Sequence, residues 1–283
     1  MPNKQIPLHS WPAHEVKAYL EGIGEPVPAA RARGMGLNPF GTKKWKYSGM
    51  VIGYVSPGGT GRRPVVGVQD VQPERELIGT RIKLTMDGLY VHDYPGGGPH
   101  RVLCEFSGRN QTDSEAEDLK FACEVTCGAE QRAAINGKPI FHGLVVGPNG
   151  ISFSGKTINV RSKTDDQILT VLNSGAFSSG LSLLSSVQPA LKPFVGLATG
   201  FIQTALSRSE NAMVQDFNLG LDFDGAASSA RLRLGTYIVI QAPNAPWNWD
   251  FFEWESATQA IYDKGSGNAL RLNYMTFGIS PFM

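Results

Sequence analysis

Five histidines are spread along the chain, at His9, His14, His92, His100 and His142. His92 is followed directly by Asp93 at the end of a strand-like run, and His142 falls in a second such run. Two imidazoles and a carboxylate from separate strands make a ligand set that suits non-haem iron with open coordination positions. One reading is therefore a metal-dependent enzyme using His92, Asp93 and His142. No other catalytic pattern supports it. The chain has no Gly-x-Ser-x-Gly elbow, no His-Glu-x-x-His helix and no Gly-x-Gly-x-x-Gly strand-turn-helix. The motif content favours a protein that is not an enzyme.

Aspartates offer a second metal chemistry. Asp222-Phe223-Asp224-Gly225 places two carboxylates on one side of a strand end. It is not an EF-hand loop, which needs glycine at its sixth position and glutamate at its twelfth; here Gly225 is fourth and Arg233 is twelfth. A strand ending in His92-Asp93 with a later Asp-x-Asp resembles the pattern of C2 domains. That resemblance implies calcium held by aspartates from separate loops, with Asp87, Asp93, Asp222 and Asp224 as ligands. A long uncharged insertion between the two, Gln167 to Ser207, departs from that family. The three cysteines, Cys104, Cys123 and Cys127, have no histidine at metal-ligand spacing and are expected as small buried hydrophobes.

Other residues suit contact rather than catalysis. Between Pro26 and Gln69 lie seven basic residues and no acidic one, leaving the rest of the chain at −6. Within this segment Lys43-Lys44-Trp45-Lys46-Tyr47 interleaves cations with aromatic rings, a composition that meets phosphates or lipid headgroups. The arm is short and the body acidic, which argues against nucleic acid. Ser56 to Arg63 forms a glycine-rich loop that can present backbone amides to an anion, without the lysine or spacing of a P-loop. Trp247, Trp249 and Trp254 stand among Phe251, Phe252 and two glutamates, as a core strand or as a platform for a sugar or small apolar ligand.

The elements that position these residues read mainly as strands. Glycine (33 residues) and proline (18) are abundant, as in turn-rich β folds. Alternating runs mark strands at 50–55, 65–68, 81–93 with a bulge at Asp87-Gly88, 101–106, 119–126, 140–146, 151–160, 214–223, 231–241 and 270–279. Asn136-Gly137 and Asn149-Gly150 mark tight turns. The expected architecture is an antiparallel β-sandwich over 47–283, preceded by a basic, partly extended arm over 1–46 with a short helix at His14 to Leu20.

One insertion breaks this pattern. Gln167 to Ser207 carries a single charge, Lys192. Pro189 and Pro193 divide it into two arms of a helical hairpin near 165–208. The first arm runs from Asp165 or Asp166 to Gln188, with a weak point at Asn173–Gly175, and the second from Phe194 to Leu206. Neither arm reaches the roughly 20 apolar residues of a spanning helix. The leading function is then a non-enzymatic interaction protein that meets a protein partner or an anionic membrane, in its most specific form perturbing that membrane. Its expected contacts are Lys43, Lys44, Trp45, Lys46, Leu183, Leu184, Phe194 and Phe201. The N-terminal run has no apolar core of signal-peptide length, and the odd cysteine count suits a reducing compartment, so a cytoplasmic location is expected.

Overall fold

The computed structural model describes residues 43–111, 116–135, 137–161, 172, 180–183, 192–224 and 230–282. The expected helix at His14 to Leu20 and the arginines of the arm lie outside them. The chain divides into Met1–Lys43 and Lys44–Met283, so Lys44, Trp45 and Lys46 belong to the body rather than to the arm.

The strands of the body are β1 (Gly49–Val55), β2 (Arg62–Pro64), β3 (Val66–Gly67), β4 (Arg81–Val91), β5 (His100–Gln111), β6 (Ala116–Cys127), β7 (Gln131–Arg132), β8 (Lys138–Val145), β9 (Ile151–Val160), β10 (Leu181–Ser182), β11 (Ala212–Asp222), β12 (Ala230–Arg231), β13 (Gly235–Ala242), β14 (Phe252–Glu255), β15 (Ala260–Asp263) and β16 (Tyr274–Pro281). The first sheet runs β10-β8-β4-β16-β13-β1-β3, with β7 added to β4. The second runs β12-β11-β9-β5-β6, and a small third sheet runs β15-β14-β2. Pairing is antiparallel except for the short additions β10 to β8 and β12 to β11.

Aromatic rings join the two large sheets. Phe277 of β16 packs against Phe106, Phe153 and Phe217 with centroids 5.6, 5.0 and 5.5 Å apart. Each such ring pair adds about 0.5–1.5 kcal/mol beyond its buried area. Gly155 makes room for this cluster: a Cβ there would stand 2.5 Å from the Phe217 ring. The bulge falls where alternation broke. Thr276 pairs with Gly88 and Phe277 with Met86, leaving Asp87 as the extra residue.

The helical hairpin needs correction in its first arm. Leu172 is helical, but Leu181–Ser182 is a strand parallel to β8. Gly180 turns into it at φ +73°, and Arg81 Nη1 pins it by donating to the carbonyls of Leu183 and Gly143, both at 3.0 Å. The rest of that arm, Leu184 included, lies outside the described residues. The second arm is helix α1 (Lys192–Leu206), two residues longer at its start than expected. Pro193 fits because the first helical turn uses no intrahelical amide there. After Leu206 the turn is closed by the Ser207 amide on Gln203 O and by Asn211 Nδ2 on Ala205 O.

Candidate functional site

Helix α1 packs against β5, β6 and β9. Strand alternation puts Leu103, Ala122 and Ile158 on the face of the second sheet opposite the phenylalanine cluster, and all three are fully buried. Ala198, Ile202 and Ala205 recur at helical spacing and are buried in the same core. Burying Leu103, Ile158 and Ile202 together stabilises this docking by roughly 5–9 kcal/mol. The helix is therefore a structural part of the body. Phe201 leans on the core and Leu183 is buried, while the side chain of Phe194 lies outside the described residues.

The opposite side of α1 faces solvent. Gly196 and Gly200 stand one turn apart, and a Cβ on either would meet nothing within 4 Å. Gln203 and Ser207 continue this exposed ridge. Leu197 and Leu206 are two and a half turns apart, so they flank the ridge on opposite sides, 46% and 45% exposed. Gly196 and Gly200 leave a shallow notch with no charge among the described side chains, and the side chain of Lys192, one turn before Gly196, lies outside them.

A second cluster forms at the end of β4, where three residues singled out in the sequence meet. Lys44 lies in a single 3-10 turn (Lys44–Lys46). Its amide donates to Asp93 Oδ2 at 2.7 Å, and its Nζ donates to Arg271 O at 2.8 Å. Nζ also lies 3.0 Å from His92 Nε2. An ammonium has no acceptor, so Nε2 must be the bare nitrogen and Nδ1 carries the hydrogen. His92 Nδ1 lies 3.7 Å from Glu130 Oε1, too far for a hydrogen bond, and is a buried atom without a partner. Glu130 itself sits at φ +56°. The ring of Tyr90 stacks beside His92, and that of Tyr274 stacks beside Tyr90.

The electrostatics follow from this crowding. Burial, then the Lys44 charge, holds the His92 imidazole below its ordinary range. Burial, then the Arg271 charge, lowers the Lys44 ammonium, against the pull of Asp93 and Glu130. Asn273 holds the frame: its Oδ1 accepts from the amides of His92 at 2.8 Å and Asp93 at 3.0 Å. Gln241 Nε2 in turn donates to the carbonyls of Trp45, Tyr47 and Val214. Trp45 packs partly into the core, and Lys46 lies over its ring, exposed like Lys43.

The other residues singled out in the sequence have neighbours of their own among the described residues. His142 pairs with Lys83 near the start of β4, nine residues from His92, about 30 Å along the strand. Two imidazoles that far apart cannot share an iron. Asp93 accepts an amide, Asp87 accepts the Thr85 hydroxyl, and Asp222 and Asp224 face Arg231 and Arg75. Among the described residues no three His, Cys, Asp or Glu are placed to hold a metal. Trp249 and Trp254 lie in a small core with Val65, Ile238 and Ile261, and Trp247 stacks on Phe252 at 4.8 Å. Trp249 and Trp254 are thus buried, and Trp247 is half-buried with one face against Phe252. The Ser56 to Arg63 loop folds around its own cation, with Arg63 Nη1 donating to the carbonyls of Ser56 and Gly58. Arg62 covers the Tyr262 ring at 4.0 Å.

Glu130, Arg271, Asn273 and Gln241 carry no motif that would single them out in the sequence. Their only trace there is a polar side chain interrupting an apolar run, as Asn273 and Gln241 do. No family profile, curated protein or solved structure matches this chain.

Proposed function

We propose that this is a non-enzymatic interaction protein. Its large sheets stack as a β-sandwich, and the solvent side of α1 receives a helix of a protein partner. The supporting observation is the notch of small residues at Gly196 and Gly200 with Leu197 and Leu206 on its two flanks. Small residues let two helix backbones approach closely, and Gly196, Gly200, Gln203 and Ser207 bring no charge to desolvate on contact. The flanking leucines are only half open, so each has about 1 kcal/mol of further burial to give. Affinity then depends on close backbone packing.

An anionic membrane is the competing target, and several observations count against it. Lys44, Arg62 and Arg63 are engaged within the body, and the outward ridge of α1 carries no large apolar side chain. A small-ligand or sugar site at Trp247, Trp249 and Trp254 is disfavoured by their packing.

The test is a photo-crosslinking amino acid at position 200, with the exposed position 152 of β9 as control, in cells that make the protein. A discrete protein adduct from position 200 alone is expected. Flotation of the purified chain on neutral and anionic vesicles runs beside it. Flotation without a protein adduct would overturn the proposal in favour of a membrane.

A further inference from the structure

The basic-aromatic motif Lys43-Lys44-Trp45-Lys46 has no part in the partner surface on α1, yet it is built into a specific arrangement. We propose that His92 is an acid-sensitive latch that holds the Lys44–Lys46 turn on the body at neutral pH and loosens it when the imidazole takes up a proton. This goes beyond the partner-binding reading and does not depend on it.

The chemistry rests on one lone pair. His92 Nε2 accepts from Lys44 Nζ at 3.0 Å. Protonation occurs at that nitrogen, so the acceptor disappears, and an imidazolium is left facing an ammonium at the same distance. Every charged or titratable group around the ring enters the balance. Lys44 comes from the 3-10 turn, Asp93 from the residue after His92, Glu130 from the loop between β6 and β7, and Arg271 from the segment before β16. Tyr90 lies beside the ring as well. Glu130, whose Oε1 lies 3.7 Å from Nδ1, offsets part of the new ring charge from the other side. The added proton sits on Nε2, facing the ammonium, so Lys44 is the group displaced. Lowered pKa values for both His92 and Lys44 agree with this opposition.

The displaced side chain gives up its bond to Arg271 O and joins the exposed Lys46. Two neighbouring cations then face solvent beside the half-buried Trp45 ring, a composition suited to an anionic surface bearing phosphates. At neutral pH that surface is incomplete.

Hydrogen exchange of the full chain at pH 7.5 and pH 5.0, corrected for the intrinsic pH dependence, reads the latch directly. The amides of Lys44 and Tyr47, bonded to Asp93 Oδ2 and Lys44 O, are the reporters. They are expected to lose protection about tenfold at pH 5.0 relative to Val239 and Ile240 in β13. His92→Gln keeps an acceptor for Lys44 but cannot be protonated, and is expected to abolish the step. No step in the native chain, or an equal step in His92→Gln, would overturn the latch. Vesicles containing phosphatidylserine at both pH values test the exposed cations separately. Binding that rises at pH 5.0 in the native chain but not in His92→Gln supports their exposure, and unchanged binding overturns that part of the proposal.

Discussion

Asn273 Nδ2 donates to Gln241 Oε1 at 2.9 Å, and both side chains are fully buried. This contact joins the frame under His92 and Asp93 to the one that holds the carbonyls of Trp45 and Tyr47. Replacing Asn273 by leucine removes the acceptor for two amides and the donor to Asp93 O and Gln241. Orphaned buried polar groups cost about 1–3 kcal/mol each, and a network loses more than one bond. Asn273→Leu is expected to destabilise the fold by about 3 kcal/mol in urea unfolding, and to loosen Lys44 to Tyr47 at every pH.

The His92 titration should respond to its neighbours with opposite signs. Lys44→Met removes the ammonium and is expected to raise the His92 pKa. Glu130→Gln removes the opposing carboxylate and is expected to lower it. NMR titration of the imidazole resonances measures both. The native depression also sets a stability trend. The unfolded chain binds the proton more readily than the folded one, so folding stability falls as pH drops below the ordinary 6.5 toward the folded value. His92→Gln should flatten that part of the curve. His100 and His142, lowered mainly by burial, leave a remaining slope of the same sign.

Asp87 gives the reverse case. Burial in the bulge raises its carboxyl pKa, partly offset by the Thr85 hydroxyl at 2.6 Å. The folded chain then holds this proton more tightly than the unfolded one, so ionising it at neutral pH costs stability. Asp87→Asn keeps an acceptor for Thr85 and removes the charge. It is expected to raise Tm at pH 7, with the gain vanishing below the ordinary 3.8, where the aspartate is protonated in both states.

Gly150 closes the turn before β9 at φ +86°, and a Cβ there would lie 1.9 Å from Leu221 O. Gly150→Ala therefore demands both a left-handed backbone and a shift of β11. A loss of about 2–4 kcal/mol is expected, measured by thermal unfolding.

Much of this architecture was legible in the chain itself, because period-two alternation reports a half-buried strand directly. β9 matched its expected bounds, and the bulge at Asp87-Gly88 showed as a slip in the alternation. The second arm of the insertion was readable as helix from its uncharged apolar run between Pro193 and Arg208. Leu181–Ser182 was not readable as strand, because its partner β8 lies about 40 residues earlier and nothing local marks that pairing. His92 and Asp93 stand out in the sequence as a polar pair at a strand end, but the expected iron site with His142 fails on the length of β4. Their actual neighbours, Lys44 and Arg271, lie 48 and 179 positions away in sequence, and residue types alone do not bring them together.

The proposed partner surface is tested most directly by the size at which the native chain elutes. Gly196→Leu with Gly200→Leu fills the notch without touching any neighbour, and each change should raise helix stability by up to about 1 kcal/mol. Size-exclusion chromatography of fresh extracts is predicted to show the native chain in an assembly larger than its 30.6 kDa and the double variant at the mass of the lone chain. Identical elution of the two, with the variant folded, would contradict the account.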